Sequence, residues 1–373
     1  MHDLTLVISD LSSGGAQRVL TALANAWVER GLRLCVVTLG APQTNFFRLD
    51  ARITRLAIGG IGASNSALAA VRANLGRIAA LRRALRQAGA PTVVAFIGVV
   101  NILTVFAAAG LGMRVIICER NDPRRQSLGP VWDALRRLVY RHADLVTANS
   151  RGALETLKAF VPERKLAFVP NPLVAPRAPA ASGRGVPTIL TVGRLTEQKG
   201  YDILLGAFAR IAGSAPDWRL ALIGEGELKC ALRSQAQALG IAGRIDWIGR
   251  VPDPFPHYAG ADIFVLPSRF EGTPNALLEA MSCGLPAVVS DASSGPLDCV
   301  EDGVSGLVVP AEDVAALGDA LARLISNPSL RRRLGDAART RVEENALIRV
   351  LAKWDEVLEL PPGITARLAR TAI

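Results

Sequence analysis

Cysteine and histidine are both scarce in this chain, and their scarcity excludes several kinds of site. The five cysteines are scattered and include no Cys-x-x-Cys pair, so they indicate reduced cytosolic thiols rather than a disulfide framework or a zinc site. Of the three histidines, His142 ends an arginine-rich helix and His257 precedes a tyrosine on a predicted surface helix. Neither histidine is in a pattern that indicates a ligand.

The sequence also lacks an N-terminal leader pattern. A first apolar strand, residues 4–9, begins without a preceding basic region, apolar core and cleavage site. We therefore expect no secretory signal and a cytoplasmic protein.

Charge is absent from residues 92–113, a stretch long enough to span a bilayer. Glycines and Asn101 interrupt this stretch, and the region divides into a strand (92–97), a helix (100–109) and a further strand (114–118). Strands that are buried on both faces of a parallel sheet are continuously apolar. The pattern therefore favours a buried β-α-β unit over a transmembrane segment.

Positive charge is concentrated in the first half of the chain. Residues 1–186 carry a net charge of +14 and residues 187–373 carry −4, which gives the total of +10. This difference indicates that the first half faces an anionic partner, such as anionic lipid, a phosphorylated acceptor or nucleic acid. Few aromatic residues interleave with the arginines, which counts against nucleic acid.

One predicted helix in this basic half is amphipathic. Its arginines and its apolar residues, which recur at helical spacing, are Arg72, Arg77, Arg82, Arg83 and Arg86, and Val71, Leu75, Ile78, Leu81 and Leu85. Such a helix fits two interpretations. It is either an outer helix that packs on its sheet, or a helix that lies on a membrane surface near a lipid-linked acceptor.

Two series of alternating strands and helices follow one another along the chain. The first series begins with a strand (4–9), a helix (16–30) and a strand (34–39), and the second with a strand (188–192), a helix (201–212) and a strand (220–223). A linker rich in proline, alanine and glycine, residues 175–187, separates them. This alternation predicts an α/β protein with two Rossmann-like domains, whose parallel sheets face each other across a ligand cleft.

Two glutamates, Glu271 and Glu279, mark the segment with the strongest indication of chemistry. They follow an apolar strand (261–268), and Thr273 is predicted to be a helix N-cap, with Pro274 at the first helical position and Gly284 as the stop. Glu271 would then lie at the positive end of a helix, and Glu279 within an apolar helix, where a carboxylate is costly unless something binds it. The pattern indicates a site for an anionic, polyhydroxylated ligand. The alternative is an ordinary capped helix with one exposed and one internally paired glutamate.

Two further loops have features of anion sites. Arg194 and Lys199 lie in a strand-to-helix loop that is not a Walker A loop, since no Gly-Lys-Ser/Thr occurs at the required spacing. Gly14 and Gly15 follow the first strand and open a helix, so the backbone there could approach a phosphate or a sugar closely. The alternatives are two solvated surface cations and an ordinary turn.

Taken together, these segments resemble the Glu-x7-Glu signature and accompanying loops of the GT-B glycosyltransferases, in particular the retaining family four, over most of the chain from Gly14 to Pro310. The resemblance implies that Arg194, Lys199 and Glu271 are catalytic, because the cations would grip the donor diphosphate and Glu271 would contact donor-sugar hydroxyls. It further implies that the donor-binding residues are Gly14, Gly15, Arg250, Gly272, Thr273, Pro274, Asn275 and Glu279. Glu279 would accept hydrogen bonds from the ribose hydroxyls, and the backbone around Arg250 would meet the nucleobase.

The chain departs from the family pattern at three places. No histidine follows the strand at 114–118, where many relatives have one, and Arg120 or Asn121 is the candidate for that place beside the acceptor and the donor sugar. Asp298 stands where a glutamate is usual. No Asp-x-Asp occurs, so the metal clamp of the other main glycosyltransferase fold is not expected. We predict no metal and no cofactor besides the nucleotide-sugar co-substrate, with the leaving charge stabilised by Arg194, Lys199 and helix amides.

The resemblance also implies a division of labour. Residues 1–172, with a C-terminal helix from about 342–373 that crosses back, would bind the acceptor, and residues 186–341 would bind the donor. The implied function is retaining transfer of a hexose or N-acetylhexosamine, from a donor that is UDP-linked on family frequency, to a lipid-linked or glycan acceptor. The expected location is cytoplasmic and peripheral to an anionic membrane, with no nucleic acid. The alternatives are a non-catalytic nucleotide-sugar-binding or membrane scaffold, and a sugar epimerase, which a histidine-poor chain scarcely supports.

Overall fold

The computed structural model describes residues 1–40, 46–59, 67–174 and 185–359, which divide into two compact units. The first unit combines Met1–Pro172 with the C-terminal segment that begins at Leu347, and the second unit is Leu173–Ala346. Most of the predicted linker (175–187) and the end of the predicted C-terminal segment (360–373) lie outside the described residues.

The first unit is a parallel sheet covered by helices on both faces. Its elements are β1 (Leu4–Ile8), α1 (Gly15–Glu29), β2 (Leu34–Thr38), β3 (Thr54–Ala57), α2 (Ala67–Ala88), β4 (Thr92–Phe96), α3 (Gly98–Ala108), β5 (Arg114–Glu119), α4 (Pro130–Val139), β6 (Leu145–Ala148), α5 (Arg151–Lys158) and β7 (Leu166–Phe168). The strand order is β3-β2-β1-β4-β5-β6-β7. Strands β2 and β3 are thus added on one side of β1, and strands β4 to β7 on the other side. Strand β1, which leads into the Gly14-Gly15 loop, lies at this change of direction.

Alternate residues of the central strands enter two separate cores. Val7, Val37 and Val93 pack with α2, α3 and α5 on one face of the sheet. Leu6 and Val94 pack with α1 and the C-terminal helix on the other face. Because both faces are buried, these strands are apolar throughout, as parallel strands between two helical layers are expected to be.

The uncharged region is a buried strand–helix–strand unit, and this prediction is confirmed. Strand β4, helix α3 and strand β5 begin and end within two residues of the predicted limits, and β4 pairs with β5 in parallel. Of the helices in the described ranges, none is both long and apolar enough to cross a membrane.

The second unit repeats this architecture with a smaller parallel sheet. Its elements are β8 (Thr188–Val192), α6 (Tyr201–Ala212), β9 (Arg219–Ile223), α7 (Lys229–Ala238), β10 (Ile245–Gly249), α8 (Phe255–Gly260), β11 (Ile263–Leu266), α9 (Asn275–Ser282), β12 (Ala287–Ser290), α10 (Ser294–Cys299), β13 (Gly306–Val309), α11 (Val314–Ser326) and α12 (Pro328–Arg341). The strand order is β10-β9-β8-β11-β12-β13. Strands β8 and β11 are neighbours although they are distant in sequence, so the loops after them meet at one edge of the sheet.

The C-terminal helix α13 (Leu347–Leu358) belongs to the first unit. A single helix from about residue 342 was expected, but a short 3₁₀ turn, Val342–Asn345, comes first, and Ala346 is extended with ψ of 136°. That extended residue separates the two helical pieces. Trp354 of α13 packs edge-on against Trp27 of α1, with ring centroids 5.6 Å apart.

Candidate functional site

The candidate site of the second unit lies at the carboxyl ends of β8 and β11. The loop after β8 contains a 3₁₀ turn, Glu197–Lys199, and then Gly200, which begins the approach to α6. The loop after β11 carries Glu271 and leads into α9. The adjacency of these two strands brings the loops together, in the position where ligands bind in open α/β sheets.

Lys199 and Glu271 form an ion pair between these loops. Lys199 Nζ lies 2.5 Å from Glu271 Oε1, and the side chains are 16% and 9% exposed, respectively. Ser268 Oγ donates a second hydrogen bond to the same oxygen at 2.8 Å, and the Glu271 amide donates to Ser293 Oγ at 2.9 Å. A carboxylate and an ammonium this deeply buried are tolerated because each is paired and hydrogen-bonded. The carboxylate is thereby fixed, while the ammonium is held by a flexible side chain.

Close backbone packing fixes both loops. Gly200 has φ of 63°, and a Cβ there would overlap the carbonyl oxygen of Pro267 in the loop after β11. A Cβ on Gly295, at the start of α10, would likewise overlap the carbonyl oxygen of Gly272. Only glycine fits at these two points, because the first requires left-handed backbone and both require an approach that no side chain allows.

Arg194, the second predicted cation, is not in the ion pair. Its side chain is exposed, and within the described residues it makes no ion pair and no side-chain hydrogen bond. The loop around it is nevertheless held in place, because the Leu195 amide donates to the carbonyl oxygen of Glu225 at 3.0 Å. The structure thus brings Lys199 and Glu271 together and leaves Arg194 facing solvent at the rim of the same loop.

The helix after Glu271 begins one residue later than the sequence predicted. Pro274 has ψ of 113° and is the N-cap of α9, without a side-chain capping bond, so the prediction of Thr273 as N-cap and Pro274 as first helical residue is wrong. The extended conformation of Pro274 delays the helix to Asn275. Gly284 does follow the last turn with φ of 74°, as the predicted stop requires. Gly272, Thr273 and Pro274 are buried, and Asn275 is half-buried.

Glu279 is buried in α9 and has a partner that the sequence did not reveal. The hydroxyl of Tyr258 donates to Glu279 Oε2 at 3.0 Å. Tyr258 is fully buried on α8 and Phe255 nearly so, whereas Pro256 is exposed and His257 is half-buried. Helix α8 is therefore a surface helix, as predicted, but with a buried aromatic face that was not predicted. The signal was the pair of aromatic residues in α8, which a solvated helix rarely carries. The Tyr258 hydroxyl satisfies one carboxylate oxygen of Glu279 and orients the side chain.

Arg250 lies apart from the ion pair. It follows Gly249, which has φ of 80°, at the end of the edge strand β10, and its side chain is exposed. Two strands, β9 and β8, lie between this edge and β11. Within the described ranges, no group of three or more histidine, cysteine, aspartate or glutamate side chains could hold a metal ion.

In the first unit, Asp10 organises the Gly14-Gly15 loop. Asp10 Oδ1 accepts from the Ser12 hydroxyl, from the Ser12 amide at 2.8 Å and from Gln17 Nε2 at 3.4 Å, and Oδ2 accepts from Ser9 Oγ at 2.8 Å. Burial opposes ionisation of Asp10, but these hydrogen bonds outweigh it and hold its pKa below the usual value. Asp10 was missed, although an acid at the end of the first strand, just before a glycine pair, was visible in the sequence.

Arg120 is a buried cation at the carboxyl end of β5. Its guanidinium donates to Asn171 Oδ1 and lies 5.9 Å from the centre of the Phe96 ring. No salt bridge to a carboxylate is found for it among the described residues, and burial lowers its pKa to about 10. Asn121 Nδ2 donates to Gln126 Oε1 at 2.8 Å. Both candidate residues therefore lie where the sequence placed them, at the end of this strand.

A buried polar network behind Arg120 was not predicted. Glu119 Oε2 accepts from the Tyr140 hydroxyl at 2.9 Å and lies 3.7 Å from Arg136 Nη1. Asn101 Nδ2 donates to the Tyr140 oxygen at 3.1 Å. Burial raises the pKa of Glu119, and the partly compensating groups are Arg136 and Tyr140. The network ties the end of β5 to α3 and α4.

Two protein-family models match the chain. The model described as a glycosyl transferase 4-like domain matches residues 14–172, and the model described as glycosyl transferases group 1 matches residues 177–341. The boundary between the two matches falls in the linker region between the two units.

Similar proteins were found by sequence and by structure. A GDP-mannose-dependent alpha-(1-6)-phosphatidylinositol monomannoside mannosyltransferase of Mycolicibacterium smegmatis is 32% identical over 279 residues, which cover 65% of this chain and 72% of the relative. A Campylobacter jejuni N-acetyl-D-galactosaminyltransferase, whose named acceptor is a diNAcBac-PP-undecaprenol-linked glycan, is 25% identical over 95% of this chain and 97% of the relative. The crystal structure of Anabaena Alr3699/HepE in complex with UDP and glucose covers 96% of this chain and all of its own, with a TM-score of 0.81 and 17% identity. At that identity the structural similarity concerns the fold alone.

Proposed function

Because the chain belongs to the glycosyl transferases group 1 and is a glycosyltransferase of the GT-B fold, we propose that it transfers a hexose or N-acetylhexosamine from a nucleotide-sugar to a lipid-linked or glycan acceptor, with retention of anomeric configuration. The observation that carries this proposal is the Lys199–Glu271 pair at the meeting point of β8 and β11. A cation and a carboxylate side by side suit a ligand that carries both a diphosphate and sugar hydroxyls.

Lys199 and Glu271 have complementary roles in this proposal. The Glu271 amide donates to Ser293, and the Glu271 carboxylate, which accepts from Ser268, can only accept hydrogen bonds, so it would orient the hydroxyl groups of the donor sugar. The Lys199 ammonium would also contact the diphosphate, where negative charge develops as the bond between the sugar and the phosphate breaks. Arg194, exposed on the same loop, supplies a second cation for the departing nucleotide.

The transfer step needs no nucleophile from the enzyme. An acceptor hydroxyl attacks the anomeric carbon from the face that the diphosphate leaves, the carbon–oxygen bond to the phosphate breaks, and the hydroxyl proton passes to the departing phosphate oxygen. Configuration is retained because entry and departure occur on one face. The cations of the site stabilise the leaving group, so the proposed reaction requires no metal.

The nucleotide part of the donor is assigned to Glu279 and its surroundings. A buried carboxylate that Tyr258 already orients is suited to accept hydrogen bonds from two ribose hydroxyls. UDP is the favoured nucleotide because UDP-linked donors are the more frequent ones in the family that the sequence resembles. The solved structure of similar fold binds UDP, whereas the mycobacterial relative is named for GDP-mannose, so both nucleotides belong in any test.

A lipid-linked acceptor is supported by the relatives and by the charge of the first half of the chain. One relative is named for an undecaprenol-diphosphate acceptor and the other for a phosphatidylinositol mannoside. The net charge of +14 on residues 1–186 would favour such anionic lipids. The buried Arg120 at the end of β5 is the candidate to face the acceptor or the donor sugar.

Helix α2 is the part of the first unit that we assign to the membrane surface. Its second half is packed, since Leu81 and Leu85 are buried in the core. Its first half is not, because Val71 and Leu75 are 56% and 61% exposed next to the exposed Arg72. Of the two interpretations that the sequence left open, packing on the sheet therefore describes the second half of α2 and does not describe its first half. Exposed apolar side chains beside arginines suit shallow binding to an anionic leaflet.

A donor screen tests the proposal directly. A ligand that binds only the folded protein raises its stability by about 2.7 kcal/mol at one hundred times the Kd. We expect UDP or a UDP-sugar to raise the melting temperature more than GDP, ADP or their sugar derivatives do, and the same UDP-sugar to release UDP on incubation with a polyprenyl-diphosphate-linked sugar. Absence of both effects for every nucleotide would contradict the proposed function.

A further inference from the structure

Arg269 makes an unusually extensive set of contacts two residues before Glu271. Its guanidinium pairs with Asp202 through two bonds, Nη1 to Oδ1 at 2.9 Å and Nη2 to Oδ2 at 2.8 Å. Nε donates to Glu312 Oε1 at 2.8 Å, and Nη1 also donates to the carbonyl oxygen of Glu197 at 2.8 Å. One side chain thus joins the loop after β11 to the 3₁₀ turn before α6, to α6 itself and to the loop after β13.

The backbone of the same segment adds two further bonds to the loop that carries Lys199. The Arg269 amide donates to the carbonyl oxygen of Gln198 at 2.8 Å, and Gln198 Nε2 donates to the carbonyl oxygen of Phe270 at 2.9 Å. These two hydrogen bonds join residue 198 to residues 269 and 270, which are next to Lys199 and Glu271 in the sequence. None of these contacts involves the side chains of the ion pair.

We propose that Arg269 is a positioning residue for the donor site, which fixes the loop of Lys199 against the loop of Glu271. This inference rests on the proposed function, because it concerns the geometry that the donor diphosphate and sugar would meet. Lys199 and Glu271 come from different loops. The separation of these loops therefore decides where the Lys199 ammonium lies relative to the Glu271 carboxylate. A misplacement of about 1 Å at a reacting centre can cost up to about a hundredfold in rate.

The electrostatics of the contact support a fixed geometry. Hydrogen bonds from Arg269 are the main reason that the pKa of Asp202 lies below its usual value, although burial opposes the effect. Asp202 is in the first turn of α6, where a negative charge is also favoured by the helix dipole. Glu312 keeps φ of 61°, which is uncommon for a residue with a side chain, while it holds Nε of Arg269.

The second unit contains a matched control for this pair. Arg219 binds Asp246 in the same two-bonded manner, Nε to Oδ2 at 2.8 Å and Nη2 to Oδ1 at 2.5 Å. The exposed fractions are also similar, 33% and 44% for Arg219 and Asp246 against 24% and 42% for Arg269 and Asp202. Arg219 lies at the amino end of β9, however, on the edge of the sheet opposite the site.

The test compares four full-length variants with the wild type: Arg269→Met, Arg219→Met, Lys199→Met and the double variant Arg269→Met/Lys199→Met. We expect Arg269→Met to lower kcat by about tenfold, as a loss of positioning would, and Arg219→Met to lower it by less than about twofold. In the Lys199→Met background, Arg269→Met should have less than about a twofold further effect, because residues that act as a unit are non-additive. Urea midpoints of the two arginine variants are measured in parallel, and kcat is compared at a temperature where all variants are fully folded, so that a loss of stability is not counted as a loss of positioning.

The outcomes separate this inference from the proposed function. Two results would contradict the positioning role while the wild type still transfers sugar and the proposed function stands. In the first, Arg269→Met has the same kcat as Arg219→Met. In the second, Arg269→Met lowers kcat tenfold in the Lys199→Met background as well. If the wild type neither transfers sugar nor binds UDP or GDP by calorimetry, both are wrong. The variant Arg269→Lys should recover part of the lost kcat, because one ammonium can replace only some of the four guanidinium contacts.

Discussion

Arg30 and Asp355 form a buried ion pair that joins α1 to the C-terminal helix α13. Arg30 Nη1 lies 2.5 Å from Asp355 Oδ1, and the two side chains are only 1% and 8% exposed. Burial raises the pKa of Asp355, and the charge and hydrogen bond of Arg30 oppose that rise. The carboxylate therefore depends on its partner, and so does the attachment of α13 beside the Trp27–Trp354 contact.

We expect Arg30→Met to destabilise the protein by about 3 kcal/mol, because removal of one partner leaves a buried charge without compensation. The measurement is the free energy of unfolding from urea titration, with activity followed in parallel. Arg33→Met is the control, since Arg33 pairs with Asp3 in an exposed position and should cost less than about 1 kcal/mol. A double variant, Arg30→Met/Asp355→Leu, should recover most of the loss. Equal effects of the two single variants would show that the buried pair contributes no more than a surface pair.

Lys199→Met should reduce kcat by roughly a hundredfold, or about 3 kcal/mol of transition-state stabilisation, because one preorganised cation at the leaving group is lost. Arg194→Met should act in the same direction. The control is Lys158→Met, which breaks an exposed pair with Glu155 in the first unit. Steady-state kinetics with the donor identified by the screen would measure the effect. Wild-type turnover in both site variants would mean that this loop does not bind the diphosphate.

Elements defined by local patterns were predictable from the sequence. Strand β8 and helix α6 have the predicted limits, because their apolar residues recur with a clear period and Gly200 lies between them. The division of the uncharged region into β4, α3 and β5 followed in the same way from its glycines. The position of Glu271 in the loop after β11 was also predictable, since the strand before it is continuously apolar.

Contacts between distant segments were not predictable. Tyr258 and Glu279 meet because α8 packs on α9, and nothing in either segment alone indicates the other. The same holds for Arg269 and Asp202, which are 67 residues apart. The exposure of Val71 could not be decided from the sequence for a related reason. Periodicity shows which residues share a helix face, but it does not show how far along the helix that face remains covered.

Sugar transfer should survive EDTA, because the chain has no Asp-x-Asp and the proposed site stabilises the leaving diphosphate with Lys199 and Arg194. The measurement is the initial rate before and after chelation, with a metal-dependent transferase assayed in the same buffers as the control. Modest stimulation by Mg²⁺ is compatible with screening of charge. Complete loss of activity on chelation, with recovery by one particular divalent ion, would show that the leaving group depends on a metal.

Cys230 should be the fastest cysteine to react with a thiol reagent at pH 8, because it is exposed on α7. Burial raises the pKa of Cys35 to about 11 and those of Cys118 and Cys299 to about 12, so these thiols remain protonated and inaccessible. Titration with a chromogenic disulfide should show one fast thiol in the folded protein and five after unfolding. The variant Cys230→Ser should abolish the fast phase. Rapid modification of Cys118 in the folded protein would contradict the packing of β5.

Reversible binding to anionic vesicles should depend on α2. Each cation near an anionic leaflet contributes about 1 kcal/mol, so changing the exposed Arg72, Arg83 and Arg86 to Gln should reduce flotation with anionic vesicles strongly. Arg82 is left unchanged, because it donates to the Ala107 carbonyl oxygen of α3 at 2.9 Å and supports the packing.

The control for this experiment changes three exposed arginines of the second unit, Arg210, Arg323 and Arg332, to Gln, which lowers the net charge equally. We expect the control to bind vesicles like the wild type, and neutral vesicles to bind neither protein. Val71→Ser/Leu75→Ser should weaken binding without lowering its salt dependence, since it removes only the apolar part of the contact. High salt should release the wild type, because attraction between exposed charges is screened beyond about 10 Å at 0.1 M salt. Retention in high salt, or equal binding to neutral and anionic lipid, would mean that α2 does not provide an electrostatic contact with the membrane.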